Sequence, residues 1–113
     1  MNERDWMERH GEIIRIKQDK LEEYKYYHAN AWPEVNKMLR ECNIQNYSIF
    51  SKGNYLFAYY EYVGEDYEGD MKKMSEDPKT QEWWEVVKPL QEPLEERKDG
   101  EWWANMEEVY HLD

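Results

Sequence analysis

Residues 44 to 63 constrain this chain more than any other stretch. Ile44 to Ser51 and Tyr55 to Val63 are dense in β-branched and aromatic residues, and only Lys52-Gly53-Asn54 separates them. That pattern predicts a tight antiparallel hairpin. Helical patterns flank it on both sides. Before it, Pro33 suits a first helical position, and Val35, Met38, Leu39 and Cys42 follow at i, i+3, i+4 and i+7. After it, Asp66 to Met74 places Tyr67, Met71 and Met74 on one side. Asp77-Pro78 then opens a helix through Trp83, Trp84 and Val87 that Pro89 ends.

The outer ends of the chain complete the pattern. Glu12-Ile-Ile-Arg-Ile-Lys17 reads as a first strand, and Glu101 to Leu112 alternates with strand period. Between the first strand and Pro33, Asp19 and Glu22 have the form of a capping box, and Leu21, Tyr24 and His28 lie at helical spacing. This first helix, about Lys20 to His28, must stop near Asn30, because Trp32 precedes a proline and is pushed out of the α region. Gln91 to Gly100 is polar and loop-like, with Glu92 to Glu96 a solvated acidic run. The expected class is α+β: two split βαβ halves forming a ferredoxin-like antiparallel sheet with helices on one face. Met1 to Gly11, charged and without period, is expected to be an N-terminal arm, and residues 12 to 113 a single domain. The uncovered sheet face calls for an occupant, either a second copy of the chain or a ligand.

Charge narrows the partners. With 26 acidic against 15 basic residues the formal charge is −11, which repels phosphate backbones and anionic lipid, so neither nucleic acid nor a membrane is an expected partner. No apolar run approaches the roughly 18 residues of a membrane span. The single Cys42 cannot form an internal disulfide, the N-terminus lacks a signal-peptide profile, and a cytoplasmic setting is expected. Cys42 itself lies on the apolar stripe and reads as packing. His10, His28 and His111 show no metal-ligand spacing, and the five scattered glycines form no phosphate loop or dinucleotide fingerprint. Neither a metal nor a cofactor is expected.

Four places could carry chemistry. His28 falls in the last turn of the first helix, where the helix dipole favours a cation, so its protonated form is expected to be favoured. Tyr24, four residues earlier, is its surface neighbour. Spacing alone fits an acid–base imidazole or an exposed histidine beside a core tyrosine. Trp83 and Trp84 point about 100° apart on one helix and cannot both face one core. They fit a pair lining a sugar pocket, indole faces against the C–H faces of a pyranose, or one core residue and one interface residue. Trp102-Trp103, at the start of a strand, alternate between faces and need no site. Tyr47, beside Asn46 on the hairpin, shares a face with Gln45 and Ile49, and the pattern does not decide whether helices cover that face.

Tyr24-Lys-Tyr-Tyr-His28-Ala-Asn-Ala-Trp32-Pro33-Glu34, then Asn46-Tyr47, Trp83-Trp84 and the closing Glu107-Glu-Val-Tyr-His-Leu112 resemble, in order and spacing, the L-rhamnose mutarotase family. The resemblance covers Glu12 to Asp113. It implies a ferredoxin-like subunit that forms a homodimer in the manner of dimeric α/β-barrel proteins and interconverts the α and β anomers of a monosaccharide, L-rhamnose, without a cofactor. It also implies that His28 is the catalytic proton donor and that Tyr24, Tyr47, Trp83 and Trp84 bind the sugar. Ala29 and Ala31 replace bulkier residues common in the family. A roomier or narrower pocket would suit L-fucose or L-lyxose instead, and a non-catalytic ligand-binding module of the same fold is the other alternative.

Overall fold

The computed structural model describes residues 7–113, and the statements below concern these. The chain runs β1 (Glu8–Ile16), α1 (Leu21–Ala29), α2 (Pro33–Glu41), β2 (Ile44–Lys52), β3 (Tyr55–Tyr62), α3 (Tyr67–Ser75), α4 (Pro78–Val87), β4 (Gln91–Glu92) and β5 (Ala104–Met106). Short 3-10 turns precede α1 at Gln18–Lys20 and follow α4 at Lys88–Leu90. The sheet is antiparallel in the order β2-β3-β1-β4, with β5 also pairing β1. This is the ferredoxin-like α+β architecture expected from the hairpin and its flanking helices.

Local chemistry sets most of the boundaries. Trp32 is extended (φ −73°, ψ 127°) ahead of Pro33, which occupies the first turn of α2. The Asp77 carboxylate accepts from Thr80 N at 3.0 Å and from Thr80 Oγ1 at 2.9 Å, capping α4. Asp66 caps α3 by accepting from Gly69 N at 3.1 Å, an approach that would drive a Cβ at position 69 to within 2.2 Å of the same carboxylate. The capping box expected at Asp19 and Glu22 is not formed. The 3-10 turn supplies the entry to α1 through its backbone, with Lys20 N donating to Lys17 O at 2.9 Å, and no side chain caps the helix.

Strand parity places the core. Ile14 and Ile16 on β1 share the inner face with Leu56, Ala58, Tyr60 and Tyr62 on β3, through the pairs Ile14↔Leu56, Glu12↔Ala58 and His10↔Tyr60. These apolar residues are buried under the helices in two clusters: Ile14, Ile16, Tyr24, Leu56, Trp83 and Val87 among the first, and Cys42, Ile44, Tyr60, Tyr62 and Met74 in the second. The opposite face keeps Phe50 64%, Tyr55 44% and Met106 42% exposed.

Two boundaries differ from expectation. The expected N-terminal arm extends to Gly11, but Glu8 to Gly11 pair with Tyr62 to Tyr59 as part of β1, while residues 1–6 lie outside the described residues. Long-range stacking explains it: the His10 ring lies 4.9 Å from Tyr60 and 4.7 Å from Tyr67, both at 12°. The closing strand expected over Glu101 to Leu112 shortens to Ala104–Met106, and a second short strand forms at Gln91–Glu92, inside the expected loop, on the same edge of β1. Gln91 pairs with Ile16, and Ala104 to Met106 pair with Ile13 to Gly11. Beyond Met106 the tail leaves the ladder and is held by the fork of Arg9 on Glu108, Nε to Oε1 at 3.0 Å. Val109, Tyr110 and Leu112 stand 89%, 77% and 76% exposed, because strand-period alternation alone supplies no pairing partner.

Candidate functional site

A cavity of about 200 Å³ lies between the inner face of the sheet, α1 and α4, and Tyr24, His28, Tyr47, Trp83 and Trp84 all line it. Sequence separated these five by up to 60 positions, and the fold brings them to one wall. A larger hollow of about 510 Å³, between α2 and the start of β2, shares Tyr47 but holds neither histidine nor carboxylate. His28 lines the smaller one.

Helix α1 delivers its ring pair through i, i+4 geometry. Tyr24 is 4% exposed, and the His28 ring stacks on it with centroids 4.1 Å apart. The edge of Trp83 meets the same imidazole at 5.2 Å and 70°. His28 Nδ1 lies 2.9 Å from the backbone carbonyl of Tyr24. A carbonyl only accepts, so Nδ1 carries the hydrogen and Nε2 of the neutral ring carries the lone pair. The expectation that the helix terminus would favour imidazolium is overturned. Burial among Tyr24 and Trp83 lowers the His28 pKa, and the hydrogen bond to Tyr24 O only partly opposes it.

Tyr47 reaches the cavity because of a backbone irregularity. Asn46 adopts φ +50°, in the left-handed region where Asn is tolerated, and the β2–β3 register shifts between Gln45 and Ser48. The bulge turns Tyr47 onto the inner face, where its ring stacks on Tyr60 at 5.4 Å. The phenol end is desolvated and its pKa is pushed far up, although 39% of the residue is exposed. The face expected to hold Gln45, Tyr47 and Ile49 together is split by the bulge: Tyr47 and Ile49 lie on the inner, helix-covered side, while Gln45 pairs with Glu61 on the outer one.

The two indoles divide between core and cavity wall. Trp83 is 8% exposed and packs in the first cluster, edge-on to Tyr27 and Trp32 as well as His28. Trp84 is half-buried and borders both clusters, with Lys88 Nζ 4.9 Å from its ring centre. Because the cavity lies where the clusters meet, side chains about 100° apart can both wall it.

Several contributors escaped sequence reasoning. Gln91, assigned to a polar loop, is 4% exposed; its Nε2 donates to Tyr24 Oη at 3.3 Å and its Oε1 accepts from Trp102 Nε1 at 2.7 Å. Trp102 and Trp103, read as needing no site, both line the cavity. Glu12 sits on the inner face, and burial followed by the charge of Glu101 pushes its pKa up to about 7. Its signal was present in the sequence: strand parity with Ile14 and Ile16. Ala29 and Ala31, by contrast, are not cavity residues, so the small side chains there leave its shape to other groups. Among the described residues no three His, Cys, Asp or Glu side chains converge as metal ligands do.

The ferredoxin-like α+β fold thus gathers a desolvated histidine and paired indoles around one cavity of about 200 Å³. The L-rhamnose mutarotase family model matches residues 9–112, and the chain belongs to that family. It is 34% identical to the L-rhamnose mutarotase of Oceanobacillus iheyensis, over 95% of this chain and 100% of that one. It is 41% identical to a UPF0734 protein of Dictyostelium discoideum, over 82% of this chain and 78% of that one. Among solved structures, an L-rhamnose mutarotase from Formosa agariphila superposes with a TM-score of 0.72 at 22% identity, covering 94% of this chain and 99% of that one. Tetracenomycin F2 cyclase from Streptomyces glaucescens gives 0.71 at 14%, covering 94% and 97%. At these identities the structural matches speak for the fold alone.

Proposed function

We propose that this chain is an isomerase that interconverts the α and β anomers of L-rhamnose, with His28 as its catalytic base and Tyr24, Tyr47, Trp83 and Trp84 holding the sugar. Family membership supports the reaction, and the single structural observation that carries the chemistry is the neutral, Nδ1-anchored imidazole of His28 at the cavity wall. Ring opening of a hemiacetal needs a proton removed from the anomeric hydroxyl and a proton delivered to the ring oxygen. Nε2 takes the first, and solvent water delivers the second and takes it back on closure. The C1–O5 bond breaks, the aldehyde rotates about C1–C2, and closure on its other face returns the proton from the imidazolium. His28 is therefore base in opening and donor in closing, a reassignment of the proton-donor role that the sequence resemblance implied, since Nε2 of the neutral ring carries no hydrogen.

Mutarotation already proceeds slowly in water, and positioned acid–base catalysis worth roughly 10²–10⁴-fold makes a useful enzyme. The indoles supply flat apolar faces for the C–H side of the pyranose. An exchange assay over L-rhamnose, L-fucose and L-lyxose, read by saturation-transfer NMR, tests the assignment: fastest exchange on L-rhamnose supports it, preference for another sugar reassigns the substrate, and binding without acceleration makes the chain a ligand-binding module.

The same reading includes a homodimer formed through the outer sheet face. Support comes from Phe50, Tyr55 and Met106, apolar side chains left exposed on that face, and from the exposed Val109, Tyr110 and Leu112 beside it. A cytoplasmic setting is supported by the lone, buried Cys42.

A further inference from the structure

We infer that Gln91 is a positioning residue: pinned by the Trp102 indole, its amide obliges the Tyr24 hydroxyl to donate its hydrogen to the ring oxygen of the bound sugar. This rests on the mutarotase reading and deepens it, naming what the site requires of a substrate: a cyclic hemiacetal with a free anomeric hydroxyl and an oxygen in the ring.

Gln91 stands where packing would call for an apolar side chain. It pairs with Ile16 of β1, on the inner face of the sheet, and is 4% exposed. A buried amide is costly unless both of its ends are bonded, and here both are. Oε1 accepts from Trp102 Nε1 at 2.7 Å, and Nε2 donates to Tyr24 Oη at 3.3 Å. Gln91, Trp102, Tyr24 and His28 all line the same cavity.

The polarity of this relay has one solution. An indole nitrogen only donates, so the amide must turn its oxygen to Trp102. Its nitrogen then faces Tyr24, and an amide nitrogen also only donates, so the phenol oxygen accepts. The phenol hydrogen is left for a group in the cavity. Among the described residues no hydrogen bond takes it, although Tyr24 is only 4% exposed.

Helix α1 thereby shows the cavity one acceptor and one donor. His28 Nε2 carries a lone pair, because Nδ1 donates to the Tyr24 carbonyl, and Tyr24, whose ring stacks on the imidazole at 4.1 Å, carries the spare hydrogen. A hemiacetal carbon bears the complement: O1–H donates, and O5, which has no hydrogen, only accepts. As C1–O5 breaks, the charge growing on O5 meets the phenol hydrogen while water supplies the proton. Burial pushes the Tyr24 pKa up, so the phenol keeps its own proton throughout.

Two measurements test this. By calorimetric titration, wild type is expected to bind L-rhamnose about tenfold more tightly than the carba analogue in which a methylene replaces O5. Tyr24→Phe should erase that preference while keeping the ring that stacks on His28 and the carbonyl that fixes its tautomer. Gln91→Glu gives the second readout. Its protonated carboxyl still donates to Tyr24, but once ionised both oxygens accept, and the phenol turns its hydrogen away from the sugar. Tyr24, His28, Tyr47 and Lys88 are the titratable side chains that line the cavity with it. The rate of L-rhamnose exchange in Gln91→Glu, taken relative to wild type, is expected to fall about tenfold between about pH 6 and pH 10 as that carboxyl ionises, and not to fall when Tyr24→Phe is the background. Circular dichroism checks folding. Equal wild-type affinity for L-rhamnose and the carba analogue, or a folded Gln91→Glu protein with the wild-type rate at every pH, overturns the inference and leaves the mutarotase reading standing. Absence of exchange on every sugar in wild type strikes that reading instead.

Discussion

The His28 imidazole stacks on the Tyr24 ring at 4.1 Å and at the same time donates through Nδ1 to the Tyr24 backbone carbonyl at 2.9 Å. One residue thereby fixes both the plane and the tautomer of the other. Removing the imidazole removes the base but leaves the helix, since α1 ends at Asn30, whose backbone N–H bonds Tyr26 O. His28→Ala is expected to retain sugar binding and lose about 10²–10⁴-fold in anomer exchange, measured by saturation transfer on equilibrated L-rhamnose. Wild-type exchange in that variant would remove His28 from the chemistry.

The same pair sets an acidic limit. Because the folded-state pKa of His28 lies below 6.5, the neutral base persists to lower pH than for a free histidine, and activity falls only below that range. The sign for stability follows: the unfolded chain binds the proton first, so stability is lost as pH drops through the unfolded value. A rate profile whose acidic midpoint lay above 6.5 would contradict the burial of the ring.

Glu12 makes the opposite contribution. Its folded pKa is raised from 4.5 to about 7, so the folded state holds a proton that the unfolded state has released, and stability declines as pH rises across that window. Glu12→Gln is therefore expected to be more stable than wild type at pH 8, by about 1–2 kcal/mol after allowance for solvent screening, and nearly equal at pH 4. Urea melts at the two pH values measure the difference.

Asn46 holds φ +50° while its Nδ2 donates to Glu61 Oε1 at 2.6 Å. Asn46→Ala loses the bond and strains the left-handed backbone, and about 1–2 kcal/mol of stability should go with it. Asn46→Gly keeps the backbone and should cost less. In the alanine variant Tyr47 loses the bulge that aims it, so sugar affinity falls as well, a combination that calorimetric titration separates from simple destabilisation.

Trp83 and Trp84 should part company under substitution. Trp83→Ala empties a core position and is expected to cost about 3–5 kcal/mol of stability. Trp84→Ala, at a half-buried site, should cost less and act mainly on sugar binding. Equal thermal shifts for the two would mean that the distinction between core wall and pocket wall is misplaced.

What could be read from the sequence was what neighbouring residues decide among themselves. Pro33, Pro78, Asp66 and Asp77 announced helix starts, Lys52-Gly53-Asn54 announced the hairpin, and the Tyr24–His28 spacing put two rings side by side. What could not be read was decided across the fold. The extent of β1 depended on Tyr60 and Tyr67 clasping His10, the protonation of His28 on an indole 55 positions away, and the fate of Gln91 on partners at both Tyr24 and Trp102. Glu12 was legible in principle, since a lone acid in register with Ile14 and Ile16 breaks the alternation of a half-buried strand.

Gln91 joins the first helix to the last quarter of the chain, with the Tyr24 hydroxyl on one side of its amide and the Trp102 indole on the other. A chain lacking the residues from 101 onward would keep Tyr24, His28, Tyr47, Trp83 and Trp84 but not Trp102 and Trp103, so the cavity would stand open on the side those two indoles line.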